Sequence, residues 1–307
     1  MARYNSEKIS MANTFLSDKT RVGCIGLGIM GLPAAKNLQR AGYTVSAYAR
    51  RPESTKTLGG TVASYSSPKE LGAVCDVVVI NVSDTPDVEE VTLGKNGLVH
   101  GMKPGSAIID MSTISPATTR HVAEKLAEKD ITFLDAPVSG GQKGAIDGTL
   151  TIMVGGSVDM FTKAQPLLAA MGKTITHIGT SGAGQVAKAC NQIIIGATIE
   201  GVAEAMVLAQ KNGVDAAAVR EALLGGFAGS KVLEMHAPRM LHNNFTPGFK
   251  SVLHEKDMKI ALTNGGENNL SLPAAELFLQ RLQALIALGG GDLDSTAIYK
   301  VITGEKP

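Results

Sequence analysis

Three polar side chains, Lys188, Asn191 and Gln192, interrupt a stretch of sequence that is otherwise apolar and rich in glycine and alanine. Their spacings of three and four residues place them on one face if the stretch is helical. A lysine ammonium is a compact charge whose pKa shifts readily on burial, so it can donate a proton to an oxygen that gains negative charge. The spacing alone leaves two alternatives open, a catalytic cluster and the solvated end of a helix.

A second candidate site is the sequence Gly26-Leu27-Gly28-Ile29-Met30-Gly31, which matches the pattern GxGxxG. It lies between a predicted buried strand at 21–25 and a predicted helix at 32–40, which is followed by a strand at 43–49. Here the first glycine allows a tight turn, the second lets the backbone approach a pyrophosphate, and the third lets helix and strand pack closely. The helix N-terminus would then attract the phosphates. We therefore predict a bound dinucleotide, the alternative being a glycine turn without a ligand.

The residues that end the second strand indicate which dinucleotide binds. An acidic residue there binds the ribose 2′-hydroxyl of NAD, whereas an arginine accommodates the 2′-phosphate of NADP. This chain has Ala49-Arg50-Arg51, and an arginine fork binds phosphate through two hydrogen bonds. The pattern favours NADP(H) and leaves NAD(H) possible, since Glu53 follows closely. A solvated basic pair on a loop is the alternative.

Three further loops are expected at the carboxyl ends of strands, where ligands bind in doubly wound sheets. They are residues 82–84, 112–114 and 136–144. The third contains Ser139-Gly140-Gly141, whose hydroxyl and backbone N–H groups suit a carboxylate, although a plain turn is the alternative. The flanking elements are predicted strands at 76–82, 106–110, 131–135, 150–154 and 174–178, and a helix at 115–129 that is capped by Ser115.

The elements that must position these residues form two predicted domains. A length of 307 residues suggests about two domains at roughly 150 residues each. Strands that alternate with helices predict an α/β fold, a Rossmann doubly wound sheet over residues 20–181. Residues 182–307 show only helical patterns and predict an all-α domain. It would begin with a long helix over about 185–211 that is apolar nearly all round and should be buried between other elements. The polar residues 1–19 are predicted to be a flexible extension, with Met11 as a possible natural start, and a small ordered cap is the alternative.

Composition narrows the classes of function. The 29 Lys and Arg against 28 Asp and Glu give a net charge of +1, which argues against a nucleic-acid binder that depends on bulk charge. No apolar run reaches the ~20 residues of a membrane span, and residues 1–20 lack the core of a signal peptide. Three scattered cysteines fit a reducing compartment, and the six histidines lack metal-ligand spacing. We expect a cytoplasmic protein with no metal, nucleic acid or membrane partner.

Taken together, these motifs resemble a known family. The glycine motif at 26–31, the loop Asp135–Gly141, Gly184 with Lys188 and Asn191, and Lys256-Asp257 occur in the order found in the β-hydroxyacid dehydrogenases. The resemblance covers residues 20–303. Stretches at 225–233, 244–249, 253–257 and 287–291 are similar to the members that reduce tartronate semialdehyde to glycerate. The alternatives are 3-hydroxyisobutyrate or another β-hydroxyacid as substrate, and a non-catalytic protein that only binds dinucleotides.

The resemblance implies roles for individual residues. Lys188 corresponds to the catalytic lysine and Asn191 to the asparagine that positions the substrate, with Gln192 beside it. The loop of Ser139, Gly140 and Gly141 corresponds to the site for the substrate carboxylate. Lys256 corresponds to a second lysine that closes over cofactor and substrate.

Further implications concern the cofactor and the assembly. Contacts with the dinucleotide are implied for Val82, Thr113 and Phe249. NAD-preferring relatives carry aspartate at the position of Ala49, which again favours NADP(H). The subunits are expected to form a homodimer or homotetramer through the helical domain.

Overall fold

A computed structural model of the chain describes residues 14–59 and 62–307. The chain divides into two compact units, the first ending at Gln185 and the second beginning at Val186. The first unit is a sheet with helices and the second is helical, so the predicted fold class is confirmed.

The first unit contains a nine-stranded sheet in the order β3-β2-β1-β4-β5-β6-β8-β7, with β9 paired to β8. From β3 to β6 the strands are parallel, whereas β8 runs antiparallel to β6 and β7. The strands are β1 (Arg21–Ile25), β2 (Thr44–Tyr48), β3 (Ala63–Ser64), β4 (Val77–Ile80), β5 (Ala107–Asp110), β6 (Thr132–Asp135), β7 (Val138–Ser139), β8 (Leu150–Gly155) and β9 (Gly172–Gly179). The helices are α1 (Gly31–Arg40), α2 (Glu53–Lys56), α3 (Pro68–Val74), α4 (Thr85–Leu93), α5 (Pro116–Ala127), α6 (Gly141–Asp147) and α7 (Val158–Ala169), with a 3₁₀ turn at Leu98–His100.

Apolar side chains on both faces of the sheet are buried, as its unbroken apolar runs predict. In β4, Val77 and Val79 enter one core cluster and Val78 and Ile80 enter the other, because successive side chains of a strand point to opposite faces. The first cluster also takes side chains of α1 and α7, and the second takes those of α3, α4 and α5. Helices therefore cover both faces, as a mainly parallel sheet requires.

The prediction of a flexible extension over residues 1–19 is wrong from Thr14 onward. Phe15 packs against the first core cluster. Its N–H donates to the Lys163 carbonyl at 3.0 Å, and its carbonyl accepts from the Tyr43 hydroxyl at 2.9 Å. One aromatic anchor fixes this segment, which polar composition alone did not reveal. The possible start at Met11 lies outside the described residues.

The second unit is built from most of the long helix α8 (Ala183–Lys211) and from α9 (Ala216–Leu224), α10 (Lys231–Leu241), α11 (Ser251–Glu267), α12 (Pro273–Ala287) and α13 (Ile298–Thr303), with a 3₁₀ turn at Ser295–Ala297. Its core contains Ile199 and Met206 of α8 together with Phe278 of α12. Gly196 of α8 faces the Phe278 ring so closely that an added Cβ would lie 2.5 Å from it. The second unit therefore depends on α8 for much of its core.

Only part of α8 is buried, which corrects the prediction of burial all round. Ile194 is 67% exposed and Leu208 is 66% exposed. By length and composition α8 is the one helix of the described residues that is apolar enough to cross a membrane, and half of its most apolar window is buried inside the fold. The helices of this chain thus cover one side of α8 and leave apolar side chains on the other.

The three cysteines differ in accessibility. Cys24 and Cys75 are buried and Cys190 is exposed. Burial raises the pKa of both buried thiols to about 12, so they remain protonated and unreactive at neutral pH.

Candidate active site

The GxGxxG motif forms the turn between β1 and α1 and borders a cavity of about 550 Å³. Gly26 has a φ of +86°, and an added Cβ there would lie 2.0 Å from the Asn81 carbonyl oxygen. An added Cβ at Gly31 would lie 1.9 Å from the Gly26 carbonyl oxygen, so the turn and the close packing both require glycine. Gly28, in contrast, has open space where a Cβ would be. The second glycine thus leaves its backbone accessible from the cavity.

The N-terminus of α1 suits the phosphates of a dinucleotide. The helix begins at Gly31, and no side chain caps its first N–H groups. Uncapped N–H groups and the helix dipole favour an anion at this position. The open space at Gly28 lies beside them, so the residues fit a bound pyrophosphate.

The strand-end residues predicted to select the dinucleotide also line this cavity. Arg50 and Arg51 follow β2, and Val82 follows β4. The Arg50 guanidinium forms an ion pair with Asp87 of α4, with Nη1 3.0 Å from Oδ1. Glu53, the alternative acceptor for an NAD ribose, begins α2 and is exposed, and it is not among the described residues that line the cavity.

Thr113 lies in a loop that is held on both sides by one side chain. The Gln185 amide accepts from the Ile114 N–H at 3.1 Å and donates to the Ser112 carbonyl at 2.8 Å. The Ser112 hydroxyl in turn accepts from the Val82 N–H at 2.9 Å. The two loops predicted to contact the cofactor are therefore hydrogen-bonded to each other. Sequence reasoning missed Gln185, whose only signal was a polar residue in the first turn of an apolar helix.

The start of α8 is fixed by a buried carboxylate, Asp135 at the end of β6. It accepts from the Gly182 N–H at 2.8 Å and from the Gln185 N–H at 3.0 Å. Burial raises its pKa, and these backbone donors oppose the rise. Gly184 is required here, because an added Cβ would lie 2.4 Å from the Met153 carbonyl oxygen. The motif aspartate thus acts as a helix cap, a role that its position in the sequence did not indicate.

The predicted carboxylate loop lies between β7 and α6. Ser139 ends β7, and Gly140 and Gly141 follow with φ values of 133° and 62°. Backbone with positive φ turns its N–H groups in directions that most residues do not adopt. An added Cβ at Gly141 would meet no atom within 4 Å. The loop therefore has the exposed backbone that a carboxylate site needs.

In the second unit, Lys188 begins a buried chain of hydrogen bonds. It is 8% exposed, and its Nζ donates to Gln192 Oε1 at 3.0 Å. The Gln192 amide nitrogen donates to Asp257 Oδ2 at 2.7 Å, and the other Asp257 oxygen lies 3.0 Å from Lys256 Nζ. Asn191 also donates to Gln192 Oε1, at 2.8 Å. The structure thus brings together the residues predicted for the site in this unit. Gln192 rather than Asn191 is hydrogen-bonded to Lys188, and Lys256 joins the chain through Asp257.

Burial brings the titration of Lys188 closer to neutral pH. It lowers the pKa of Lys188 to about 8, with Asp257 opposing this and Lys256 adding to it. Next to this chain, burial lowers the pKa of His254 to about 4. His254 is therefore neutral at pH 7, and its ring lies between those of Phe249 and Phe278, with centroids 5.2 Å and 4.9 Å away. Phe249, predicted to contact the cofactor, packs on His254 in this unit, and its cofactor contact remains a prediction.

Each of the two units matches a known protein-family model. Residues 21–179 match the family model for the NAD-binding domain of 6-phosphogluconate dehydrogenase, and residues 182–302 match the NAD-binding domain of NADP-dependent 3-hydroxyisobutyrate dehydrogenase. The 2-hydroxy-3-oxopropionate reductase of Escherichia coli K12 is 42% identical over 92% of this chain and 97% of its own. The chain belongs to the β-hydroxyacid dehydrogenase family.

Other members of the β-hydroxyacid dehydrogenase family extend the similarity. The 3-hydroxyisobutyrate dehydrogenase of Pseudomonas aeruginosa is 37% identical over 93% of this chain and 99% of its own. The solved structure of the Mycobacterium tuberculosis 3-hydroxyisobutyrate dehydrogenase with L-serine superposes with a TM-score of 0.85, at 31% identity over 92% of this chain and 99% of that one. This chain is therefore an NAD(P)-dependent oxidoreductase of that family.

Proposed function

We propose that this protein reduces tartronate semialdehyde (2-hydroxy-3-oxopropionate) to glycerate, with NADPH preferred and NADH also used. The observation that carries the proposal is the buried Lys188, whose pKa of about 8 suits a general acid near neutral pH. The similarity to the Escherichia coli reductase over nearly the whole chain supports the choice of substrate.

Lys188 serves as acid in one direction and as base in the other. In reduction, its ammonium donates a proton to the carbonyl oxygen as that oxygen gains negative charge. In oxidation, the neutral amine accepts the proton of the hydroxyl group. Near pH 8 both forms are populated, so one side chain supports both directions. When bound, the nicotinamide cofactor supplies or accepts the hydride.

The remaining residues bind and orient. Ser139, Gly140 and Gly141 hold the substrate carboxylate, while Asn191 and Lys256 hold its other oxygens. The turn from Gly26 to Gly31 holds the pyrophosphate, Thr113 lies near the nicotinamide, and Val82 and Phe249 also contact the dinucleotide. Fixing a small substrate at its carboxylate limits its orientations and so lowers the entropic part of the barrier.

A second candidate substrate is 3-hydroxyisobutyrate, oxidised by the same residues. It is favoured by the family model that matches residues 182–302 and by the relative from Pseudomonas aeruginosa. In the same oxidation state at carbon 3, the two substrates differ only at carbon 2, which carries a hydroxyl group in one and a methyl group in the other. The choice between them depends on what contacts carbon 2.

A substrate panel with the purified full chain tests the proposal. The rate of reduction is measured for three aldehydes, each with NADPH and with NADH. They are tartronate semialdehyde, 2-methyl-3-oxopropionate and glycolaldehyde. We expect kcat/KM for tartronate semialdehyde to exceed that for the methyl compound by about tenfold or more, and glycolaldehyde to react very poorly because it lacks a carboxylate. Preference for the methyl compound would support the second candidate, and no reduction of any aldehyde acid would refute both.

A further inference from the structure

An acidic helix faces the arginines that are proposed to select the cofactor. Asp87 lies in the first turn of α4, and Glu90 follows one turn later on the same side of the helix. Both residues line the cavity that the glycine turn borders, as do Arg50 and Arg51. The cavity is thus lined by two basic and two acidic residues.

The Arg50–Asp87 ion pair engages one nitrogen of the guanidinium. A single contact of 3.0 Å joins Arg50 Nη1 to Asp87 Oδ1. The Arg50 side chain is 74% exposed, whereas that of Asp87 is only 26% exposed. Asp87 is therefore the more buried partner, and Arg50 is the more exposed side chain that it holds.

The charge of Asp87 is itself stabilised. Its position in the first turn of α4 places it at the positive end of the helix dipole, where a carboxylate is favoured. A 2′-phosphate carries about two negative charges, and Asp87 would repel it, whereas the uncharged 2′-hydroxyl of NADH would not be repelled.

We infer that Asp87 is a cofactor-specificity residue, which restrains Arg50 and weakens binding of the 2′-phosphate so that the site accepts NADH as well as NADPH. The inference rests on the proposed function in so far as it takes NADPH and NADH as the ligands. It adds that a residue of α4 influences the ratio of NADPH to NADH affinity, in addition to the residues at the end of β2.

Calorimetric titration of the full-length protein with each dinucleotide, without substrate, tests the inference. Asp87→Asn keeps the size of the side chain and removes its charge. We expect the Kd for NADPH to fall about three- to tenfold at low salt, because the repulsion between the carboxylate and the 2′-phosphate is lost, and to fall less at high salt. The Kd for NADH should remain within about twofold, since no charge on the ribose changes.

Two further variants and a control sharpen the test. Glu90→Gln should change the NADPH affinity in the same direction by a smaller factor. Arg50→Ala should weaken NADPH binding more in the Asp87→Asn background than in the wild type, because Arg50 is then free to bind the phosphate. Glu128→Gln removes an exposed carboxylate that pairs with Lys125 in and just after α5, away from the cavity lining, and should leave both Kd values unchanged.

The outcomes separate this inference from the proposed function. An unchanged or higher Kd for NADPH in Asp87→Asn would refute the inference, and so would weaker NADH binding, which would assign Asp87 to the ribose hydroxyls. If both dinucleotides bind as expected but no aldehyde acid is reduced, the inference stands and the proposed function fails. If neither dinucleotide binds, both are wrong.

Discussion

Lys188 offers the most direct test at the scale of single residues. General acid catalysis contributes about 10²- to 10⁴-fold to a rate, so Lys188→Ala should lower kcat by a factor in that range. NADPH binding should persist, because the glycine turn and the strand-end arginines belong to the other unit. Steady-state kinetics and a cofactor titration measure the two effects.

Two comparisons make the Lys188 result specific. Lys188→Arg should rescue activity poorly, since a guanidinium hardly releases a proton at neutral pH. Lys211→Ala removes an exposed lysine at the other end of α8 and should leave kcat unchanged. A Lys188→Ala protein that keeps nearly full turnover would place the acid elsewhere, with Lys256 as the next candidate.

The pH profile reports the same group. The proposed role of Lys188 requires its protonated form in reduction, so the rate of reduction should fall as the pH rises through about 8, while the rate of oxidation should rise over the same range. The negative charge of Asp257 raises the pKa of Lys188. Asp257→Asn removes that charge, so the changes in the rates of reduction and oxidation should both occur at lower pH.

The matched control for this shift is Glu255→Gln. Glu255 pairs with Lys259 on α11 and is not among the groups that shift Lys188. Its profile should therefore follow that of the wild type. If the rates of reduction and oxidation change at the same pH in Asp257→Asn as in the wild type, a group other than Lys188 determines the pH dependence.

At the scale of elements, two glycines of α8 should respond in opposite ways to substitution by alanine. Alanine stabilises an open helix position by about 0.5–1 kcal/mol relative to glycine. At Gly201 an added Cβ meets no atom of its own chain within 4 Å, so Gly201→Ala should raise the free energy of unfolding of the dissociated chain by about that amount.

Gly196→Ala should instead destabilise the protein. Its Cβ would lie 2.5 Å from the ring of Phe278, which is fully buried and cannot retreat. Overpacking of this kind costs about 1–3 kcal/mol, which exceeds the gain in helix propensity. Urea denaturation of both variants measures the difference in the free energy of unfolding. A Gly196→Ala protein as stable as Gly201→Ala would show that α12 shifts to make room for the added Cβ.

The local elements were predictable because their signals lie within a few residues. The turn at Gly26–Gly31 and the Ser115 cap of α5, whose hydroxyl accepts from the Thr118 N–H at 3.3 Å, both follow from short motifs. The length of α8 follows from its composition. In each case the residues that determine the structure are neighbours in the chain.

The exact contacts of the site could not be predicted in this way. Helical spacing places both Asn191 and Gln192 near Lys188, and the choice of Gln192 depends on Asp257, which is 65 residues away. The clamp of Gln185 on the loop around Thr113 spans more than 70 residues. Such pairings depend on how helices and strands pack, which no local pattern encodes.

At the scale of the whole molecule, the exposed side of α8 predicts self-association. Ile194 and Leu208 are each about two-thirds exposed, and burying one such side chain is worth about 1.5–3 kcal/mol. We expect light scattering to give a mass of at least twice 31.9 kDa. Ile194→Glu and Leu208→Glu should lower that mass, because each places a charge in the contact.

The control for this prediction is Leu270→Glu. Leu270 is also exposed, but it lies between α11 and α12 rather than on α8. Its variant should keep the mass of the wild type. A monomeric wild-type protein at micromolar concentration would refute the prediction.

The unequal accessibility of the three thiols makes this chain suitable for site-selective labelling without mutation. Cys24 and Cys75 are buried with a pKa of about 12, whereas Cys190 is exposed in the single chain. Because Cys190 lies on the same side of α8 as Leu208, a maleimide dye should attach at Cys190 alone, and only in subunits whose α8 contact is open. Cys190 is two residues from Lys188, about 200° around the helix, so the dye should face away from the lysine. The chain contains no tryptophan, and such a dye would give it a single fluorescent reporter close to the proposed proton donor.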